Sequence, residues 1–361
     1  MVPYSFSRCK IFVLAGFILF TISLLQARSP FRTEEPGTPT IITHWLGDSK
    51  KHSLSSFYLQ EGALFHLYDA HYFDTKKLTP GPISYRYQLE KHVDGTVLSQ
   101  LIENLLVELS SKKPDLTDFT ILKKRDFNFK NHTGFLVAKF KNYPFVLKLF
   151  ITTPEQFLKP FDYGFESCCF FIMGGGVNRY LSGFTRLRNL DRLEKLVAQN
   201  SEWADKVEFP RKWYWEPQQQ RKFIIEGENI GAVGKKQTIT LPSVYALICD
   251  EVYIERTFSL TSSSDRETAL KLTNFLQQQV DPHINNYVVD AVTKKIALVD
   301  TEHFPTMVGL DQPEPCTDYV SWYLSLSLKM WNNSFMRTKK QRLAHQRRSK
   351  QDMNFFSATN L

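Results

Sequence analysis

Residues 281–300 of this 361-residue chain read DPHINNYVVDAVTKKIALVD, and this stretch decides the predicted fold. A first loop supplies the carboxylate of Asp281 and, further along, the amide of Asn286. The next residues have the composition of two short strands joined by a turn, and Asp300 follows the second strand. Because a hairpin holds its two flanking loops side by side, the segment predicts one site built from both ends.

The residue types in this segment suit phosphate chemistry. Nucleotide phosphates require a bridging divalent metal, and the oxygens of aspartate and asparagine are ligands that magnesium prefers. Phosphoryl transfer also needs a carboxylate that accepts the proton of the attacking hydroxyl. We therefore expect Asp281 to act as the base, and Asn286 and Asp300 to bind magnesium.

This segment resembles the catalytic and metal-binding loops of the protein-kinase-like superfamily, especially its aminoglycoside and small-molecule phosphotransferase branch. The catalytic loop of that branch commonly runs Asp-Leu-His-Pro-Gly-Asn, and Asp281, His283 and Asn286 match it residue for residue. The metal-binding aspartate of the family matches Asp300. The resemblance extends over roughly residues 118–335 and implies ATP and magnesium as cofactors.

The same resemblance implies three further binding residues upstream. Lys148 lies in an apolar strand-like run that looks like the family's third strand, whose lysine contacts the α- and β-phosphates. The glutamate that would pair with this lysine is Glu166 or, as an alternative, Glu155. Glu226 ends a run that resembles the strand leading into the hinge, where backbone groups would hold the adenine.

The chain also departs from the family pattern. No glycine-rich Gly-x-Gly-x-x-Gly motif precedes Lys148, and Asp300-Thr301-Glu302 stands where the family has Asp-Phe-Gly. An Ala-Pro-Glu element is absent from the sequence. We therefore do not expect a regulated activation loop.

Periodicity predicts the elements around these motifs. Predicted helices cover residues 98–109, about 187–197, 264–279 (opened by a capping box of Ser264 and Glu267) and 318–331. Predicted strands cover residues 119–122, 134–140, 145–150, 222–225, 287–290 and 296–299. In the third of these strands Phe145, Leu147 and Leu149 face one side, and Lys148 faces the other.

Strands followed mostly by helices predict an α+β chain with a small β-rich N-lobe and a larger α-rich C-lobe, which is the bilobal fold of protein kinases. An N-terminal hydrophobic segment precedes it. The predicted division is 1–27 for a signal peptide or membrane anchor, 28–117 for a linker and helical extension, 118–230 for the N-lobe and hinge, 231–335 for the C-lobe with the catalytic and metal-binding loops, and 336–361 for a basic tail.

The N-terminus predicts export. Arg8 and Lys10 precede an apolar run over residues 11–25, which is the layout of a signal peptide or of an anchor that contacts the membrane. Positive charge before the run places the following domain outside the cytoplasm. Residues 28–45 are rich in Pro, Thr and Gly and predict a linker.

The net charge of +8 is concentrated in the tail. Seven basic residues and no carboxylate lie between residues 337 and 350, and without these seven the net charge is +1. The tail is expected to be a solvated basic segment, so nucleic acid is not an expected partner.

Two functions follow from these observations. The first is an active phosphotransferase that binds a nucleotide and moves the γ-phosphate of ATP to a hydroxyl of an unidentified protein or small-molecule acceptor. The alternative is a catalytically inactive kinase-like scaffold that binds a protein partner, as the missing glycine-rich loop, the altered Asp300-Thr301-Glu302 and the predicted export suggest.

Overall fold

The computed structural model describes residues 40–55, 68–111, 116–124, 126–162, 177–228, 236–277, 279–303 and 321, and these residues form a mixed α+β structure. The predicted N-terminal apolar segment, the basic tail and all but Ser321 of the predicted helix at 318–331 lie outside the described residues. No helix in the described ranges is long and apolar enough to cross a membrane.

Strands outnumber helices in the described ranges. In chain order they are β1 (Thr40–Trp45), β2 (Lys51–Ser55), α1 (Ala70–Thr75), β3 (Pro82–Ser84), β4 (His92–Asp94), α2 (Gly95–Ser110), β5 (Phe119–Lys123), β6 (Phe127–Asn128), β7 (Thr133–Phe140), β8 (Phe145–Ile151), α3 (Pro154–Asp162), α4 (Val177–Ala198), β9 (Val207–Glu208), β10 (Lys212–Trp215), β11 (Lys222–Glu228), β12 (Lys236–Pro242), β13 (Val244–Asp250), β14 (Ile254–Thr257), α5 (Ser263–Phe275), a 3₁₀ turn (Ile284–Asn286), β15 (Tyr287–Asp290) and β16 (Ile296–Leu298).

A six-stranded antiparallel sheet carries Lys148. Its spatial order is β10, β13, β8, β7 and β5, with β6 beside β7. The strands predicted at 119–122, 134–140 and 145–150 are confirmed as β5, β7 and β8. Strand β13 pairs with β8 so that Leu247 lies opposite Lys148. The sheet therefore includes residues from both sides of the predicted boundary at 230.

Helix α2 covers one face of this sheet. The predicted amphipathic helix at 98–109 is confirmed, since its apolar stripe packs against the inward residues of β7 and β8. The residues of this cluster include Leu98, Ile102, Leu105 and Leu109 of the helix, and Leu136, Ala138, Phe145, Leu147 and Leu149 of the sheet. Because side chains alternate along a strand, Lys148 points to the opposite face, as predicted.

Helix α4 covers the opposite face, and its close approach depends on a glycine. Phe184 of the helix stacks on Tyr245 of β13, and the hydroxyl of Tyr245 donates a hydrogen bond to the carbonyl of Tyr180. A methyl group at Gly183 would collide with this phenol ring and with Phe150. The helix therefore lies directly on the face that carries Lys148.

The C-terminal half of α4 belongs to a separate core cluster. Its leucines pack against α5 and the β15–β16 hairpin, which lie outside the six-stranded sheet. The buried residues of this cluster include Leu190, Leu193, Val197, Leu272, Leu276, Tyr287 and Leu298. One helix thus connects the lysine-bearing sheet to the part of the chain with the predicted catalytic loops.

The predicted hairpin is present, and the predicted capping box is wrong. Strands β15 and β16 pair through Tyr287 and Leu298, and β16 also pairs with β9. Helix α5 begins at Ser263 because the hydroxyl of Ser262, not that of Ser264, accepts the hydrogen bond from Asp265 N. The helix ends at Phe275, short of the predicted residue 279.

A further sheet has the spatial order β12, β11, β1 and β2. The predicted linker over residues 28–45 is therefore wrong for residues 40–45, which form β1 between β2 and β11. Ile41 and Thr43 face the same side of the strand and are fully buried. These residues therefore form a strand, although the composition of the surrounding segment is typical of a linker. Strands β11 and β12 form one hairpin, and the predicted boundary at 230 falls between them.

Candidate functional site

Lys148 and Asp300 form the centre of the candidate site. The Nζ of Lys148 lies 3.2 Å from Oδ2 of Asp300 and donates a hydrogen bond of 3.2 Å to the carbonyl of Val299. Lys148 is almost fully buried on the α4 face of β8, and the Asp300 side chain is partly exposed. Two residues that the sequence assigned to one site are therefore in direct contact.

Hydrogen bonds within the loop before β15 link Asp281 to His283 and to Asn286. The side-chain amide of Asn286 donates to the carbonyl of Asp281 at 3.0 Å, and the backbone N–H of His283 donates to Asp281 Oδ1 at 3.1 Å. His283 is exposed, whereas Asp281 and Asn286 are half-buried. Because the NH₂ of Asn286 is used within the loop, its amide oxygen remains the end of the side chain that can accept a ligand.

The hairpin joins this loop to Asp300. The backbone N–H of Val299 donates to the carbonyl of Asn286 at 3.2 Å, which continues the β15–β16 pairing by one step. Asp300 is the next residue after Val299, whose backbone is hydrogen-bonded to Asn286. The structure brings the backbone of the predicted catalytic loop beside the segment that carries the predicted metal ligand.

Arg186 is the main feature of the site that the sequence analysis missed. It is completely buried on α4, and its Nε donates to Asp300 Oδ1 at 2.8 Å. Its Nη2 donates to Asp300 Oδ2 at 3.3 Å and to Glu302 Oε2 at 2.5 Å. The guanidinium also lies 5.6 Å from the ring centroid of Phe150, which fits a cation–π contact. Arg186 therefore bridges two carboxylates of the Asp300–Glu302 segment.

A sequence signal for Arg186 was present. Leu190 and Leu193 follow it at helical spacings, so the arginine occupies the apolar stripe of α4. A charged residue in such a stripe needs a buried partner of opposite charge. The partner itself was not identifiable, because Asp300 is 114 residues away in the sequence.

A second lysine lies beneath the site. Lys212 on β10 is buried, and its Nζ donates to the hydroxyl of Thr301 at 2.9 Å. Thr301 in turn donates to the carbonyl of Arg186 at 2.6 Å. Burial lowers the pKa of Lys212 to about 8, and the positive charge of Lys148 adds to this effect. The site thus contains three cationic side chains close to Asp300.

These cations control the charge of Asp300. Burial by itself raises the pKa of the Asp300 carboxyl, but Arg186 and Lys148 outweigh burial and hold that pKa well below its usual range. For Arg186, burial lowers the pKa, and the charges of Asp300 and Glu302 outweigh it and raise the pKa. Both groups therefore stay ionised over the physiological pH range.

The segment from Thr301 to His303 is anchored to α4. The side chain of Asn189 donates to the carbonyls of Thr301 and Gln279 at 3.0 and 2.9 Å. The N–H of His303 donates to the hydroxyl of Thr185 at 3.0 Å. Thr301 is thus buried and hydrogen-bonded at the position where the resemblance has phenylalanine. A polar network, in place of an apolar side chain, holds this segment against the helix.

Of the other predicted binding residues, Glu226 is not brought to this site. Glu226 lies on β11 in the sheet that contains β1, and its Oε1 is 2.9 Å from His44 Nε2 and 3.8 Å from Lys51 Nζ. Glu155 is exposed in the first turn of α3. Glu166 lies outside the described residues. Strand β8 lies between β7 and β13, and β13 ends at Asp250, which lies opposite Phe145. Glu226 is on β11, which belongs to a different sheet.

The donor set of the site fits magnesium only together with phosphate. Within the described ranges no group of three or more His, Cys, Asp and Glu side chains is arranged to hold a metal ion. Asp300 and Asn286 would supply one carboxylate and one amide oxygen, and magnesium commonly takes its other ligands from substrate phosphates and water. The carboxylate already contacts two cations, Lys148 and Arg186.

Comparisons with known proteins give no match: no family model, no curated protein and no solved structure is significantly similar to this chain.

Proposed function

We propose that this protein is an ATP-dependent phosphotransferase with a bilobal protein-kinase-like fold. The observation that carries the proposal is the 3.2 Å ion pair between Lys148 and Asp300, next to a loop whose Asn286 is hydrogen-bonded to the backbone of Asp281 and Val299. In the family that the sequence resembles, a strand lysine and a metal-binding aspartate act on one set of phosphates.

The distribution of the core supports two lobes. The cluster under α2 lies on the six-stranded sheet, whereas the cluster around α5 and the β15–β16 hairpin is separate from it. Helix α4 contributes to the α5 cluster and also packs on the sheet. A nucleotide between the two parts would contact Lys148 from one side and Asn286 from the other.

Each proposed catalytic group has a defined task. Lys148 binds the α- and β-phosphates of ATP through its ammonium group. Asp281 accepts the proton of the acceptor hydroxyl as that oxygen bonds to the γ-phosphorus, while the bond to the bridging oxygen breaks and ADP leaves. Asn286 and Asp300 would hold magnesium, which neutralises charge on the phosphates when it is bound. The His283 N–H orients the Asp281 carboxylate.

The test is thermal denaturation of the full chain with and without 1 mM Mg-ATP (about ten times an assumed Kd of about 0.1 mM), together with an assay of ADP formation. Binding at that ratio stabilises a protein by about 1.4 kcal/mol, which is about 2 °C for a chain of this size. We expect Lys148→Met to abolish the shift. Lys139→Met is the matched control, because Lys139 lies on the neighbouring strand and pairs with Glu251 at 2.5 Å.

The variant Asp281→Asn distinguishes a loss of catalysis from a loss of nucleotide binding. This variant should keep the Mg-ATP shift and lose ADP formation about 100-fold or more, because it removes the base and leaves the phosphate contacts. A folded wild-type protein that shows no shift with 1 mM Mg-ATP would refute the proposal.

A second candidate function is the catalytically inactive scaffold, and one contact favours it. Arg186 already engages both oxygens of Asp300, as it would in a site that no longer binds metal. In that case the wild-type protein would give neither a thermal shift with Mg-ATP nor ADP, while remaining folded.

A further inference from the structure

A buried arginine on a helix adds a positive charge to the site. Helix α4 packs on the face that carries Lys148, and the residue that it directs at Asp300 is Arg186. The helix therefore places a positive charge beside the predicted metal ligand.

The local charge balance is positive. Arg186, Lys148 and Lys212 face the two carboxylates of Asp300 and Glu302, which leaves a net charge of +1 on these five side chains. All but Asp300 are nearly or completely buried, so water screens these charges weakly. This positive cluster would repel a divalent cation that enters alone, and it would attract a polyphosphate.

The contacts of Arg186 also account for the position of Asp300. Its two nitrogens bind one oxygen each of the carboxylate, and the second nitrogen also binds Glu302. Such a planar fork fixes the orientation of a carboxylate better than a point charge does. Arg186 thus fixes the orientation of the Asp300 carboxylate.

We infer that Arg186 is a positioning residue that makes this site bind a polyphosphate before it binds a divalent cation. The inference rests on the proposed function and adds the order of binding. Arg186 holds Asp300 and repels a free metal ion until phosphate oxygens supply negative charge. The recognised chemistry is a chain of phosphates, as in a nucleoside triphosphate or inorganic triphosphate.

The test measures two affinities by isothermal titration calorimetry on the full chain. One is the affinity for ATP in EDTA and in magnesium, with inorganic triphosphate as a probe that lacks the nucleoside. The other is the affinity for Mn²⁺ without nucleotide. We expect wild-type protein to bind ATP in EDTA within about threefold of its affinity with magnesium, and to bind Mn²⁺ alone more weakly.

The informative variant is Arg186→Met, which lowers the net charge of the five charged side chains from +1 to 0. We expect Mn²⁺ affinity to rise about tenfold or more, and ATP affinity in EDTA to fall about tenfold, as one positive charge is lost. The double substitution Arg186→Met with Glu302→Gln removes the ion pair as a unit and keeps the net charge at +1, so it should change both affinities by less than about threefold. Arg186→Lys keeps the charge and should keep the wild-type order of binding.

A control on the same helix is Arg188→Met. Arg188 pairs with Asp69 at 3.1 Å and lies against Tyr72, away from the Asp300 contact. Its replacement should change neither affinity. Circular dichroism establishes that each variant is folded before titration.

The outcomes separate the two hypotheses. If wild-type protein binds ATP with magnesium but the folded Arg186→Met variant keeps its Mn²⁺ affinity within about threefold, the role of Arg186 is refuted and the proposed function stands. A tenfold gain of Mn²⁺ affinity in the double variant would also refute that role, because its net charge is unchanged. If wild-type protein binds no ATP in either buffer, both are refuted. Similar affinities for ATP and for inorganic triphosphate would assign recognition to the phosphates alone.

Discussion

Acidification should destabilise this protein through His303, which ends the segment that carries Asp300. The backbone N–H of His303 is bonded to the hydroxyl of Thr185, and the residue forms an isolated β-bridge with Val280. Its side chain is buried, being only 4% exposed. Burial, with a contribution from the charge of Arg192, lowers the pKa of His303 from 6.5 to about 3.

The sign and size of the effect follow from this pKa. The folded state keeps His303 neutral down to about pH 3, whereas the unfolded chain takes up a proton below pH 6.5. Stability is therefore lost as the pH falls below 6.5, at about 1.4 kcal/mol per pH unit. Between pH 7.5 and pH 5.0 the loss is about 2 kcal/mol.

The assay is urea denaturation at pH 7.5 and pH 5.0 for wild-type protein and for His303→Gln, which cannot take up the proton. The variant should lose about 2 kcal/mol less than wild type between these two pH values. His92→Gln serves as a control, because His92 is solvent-exposed on β4. Equal losses in wild type and His303→Gln would refute the argument.

Two further predictions concern the helices that frame the site. Gly183→Ala should destabilise the protein by about 1–3 kcal/mol in urea denaturation, because the added methyl group collides with Tyr245 and forces α4 away from the sheet; unchanged stability would show that the helix can move freely. Ser262→Ala should cost about 1 kcal/mol through loss of the cap on α5. Ser264→Ala should change the free energy of unfolding by less than about 0.5 kcal/mol, and the reverse ranking would contradict the observed cap.

Several elements of the fold were predictable because their signal is local. The spacing of apolar residues predicted α2, and alternation placed Lys148 on the face of β8 opposite Leu147 and Leu149. Both patterns depend only on residues a few positions apart. The linker predicted from composition was wrong for the residues of β1, because burial between two partner strands depends on residues far away in the sequence.

The candidate site was partly predictable for the same reason. A short hairpin links Asn286 to Val299, so the closeness of the two loops follows from the segment itself. Lys148 required the resemblance as well, since nothing in its own strand indicates the contact with Asp300. For Glu226 the prediction depended on which strand lies next to β8, and the structure assigns that position to β13.

The sequence by itself determined the local chemistry: a loop with Asp281 and Asn286, a hairpin, and a carboxylate at Asp300. The tertiary structure alone decided which charges surround that carboxylate. Arg186 and Lys212 reach the site through the packing of α4 and β10, and the first of them pairs with a residue 114 positions away. Long-range ion pairs of this kind depend on the relative orientation of packed elements, and no pattern within one element encodes that orientation.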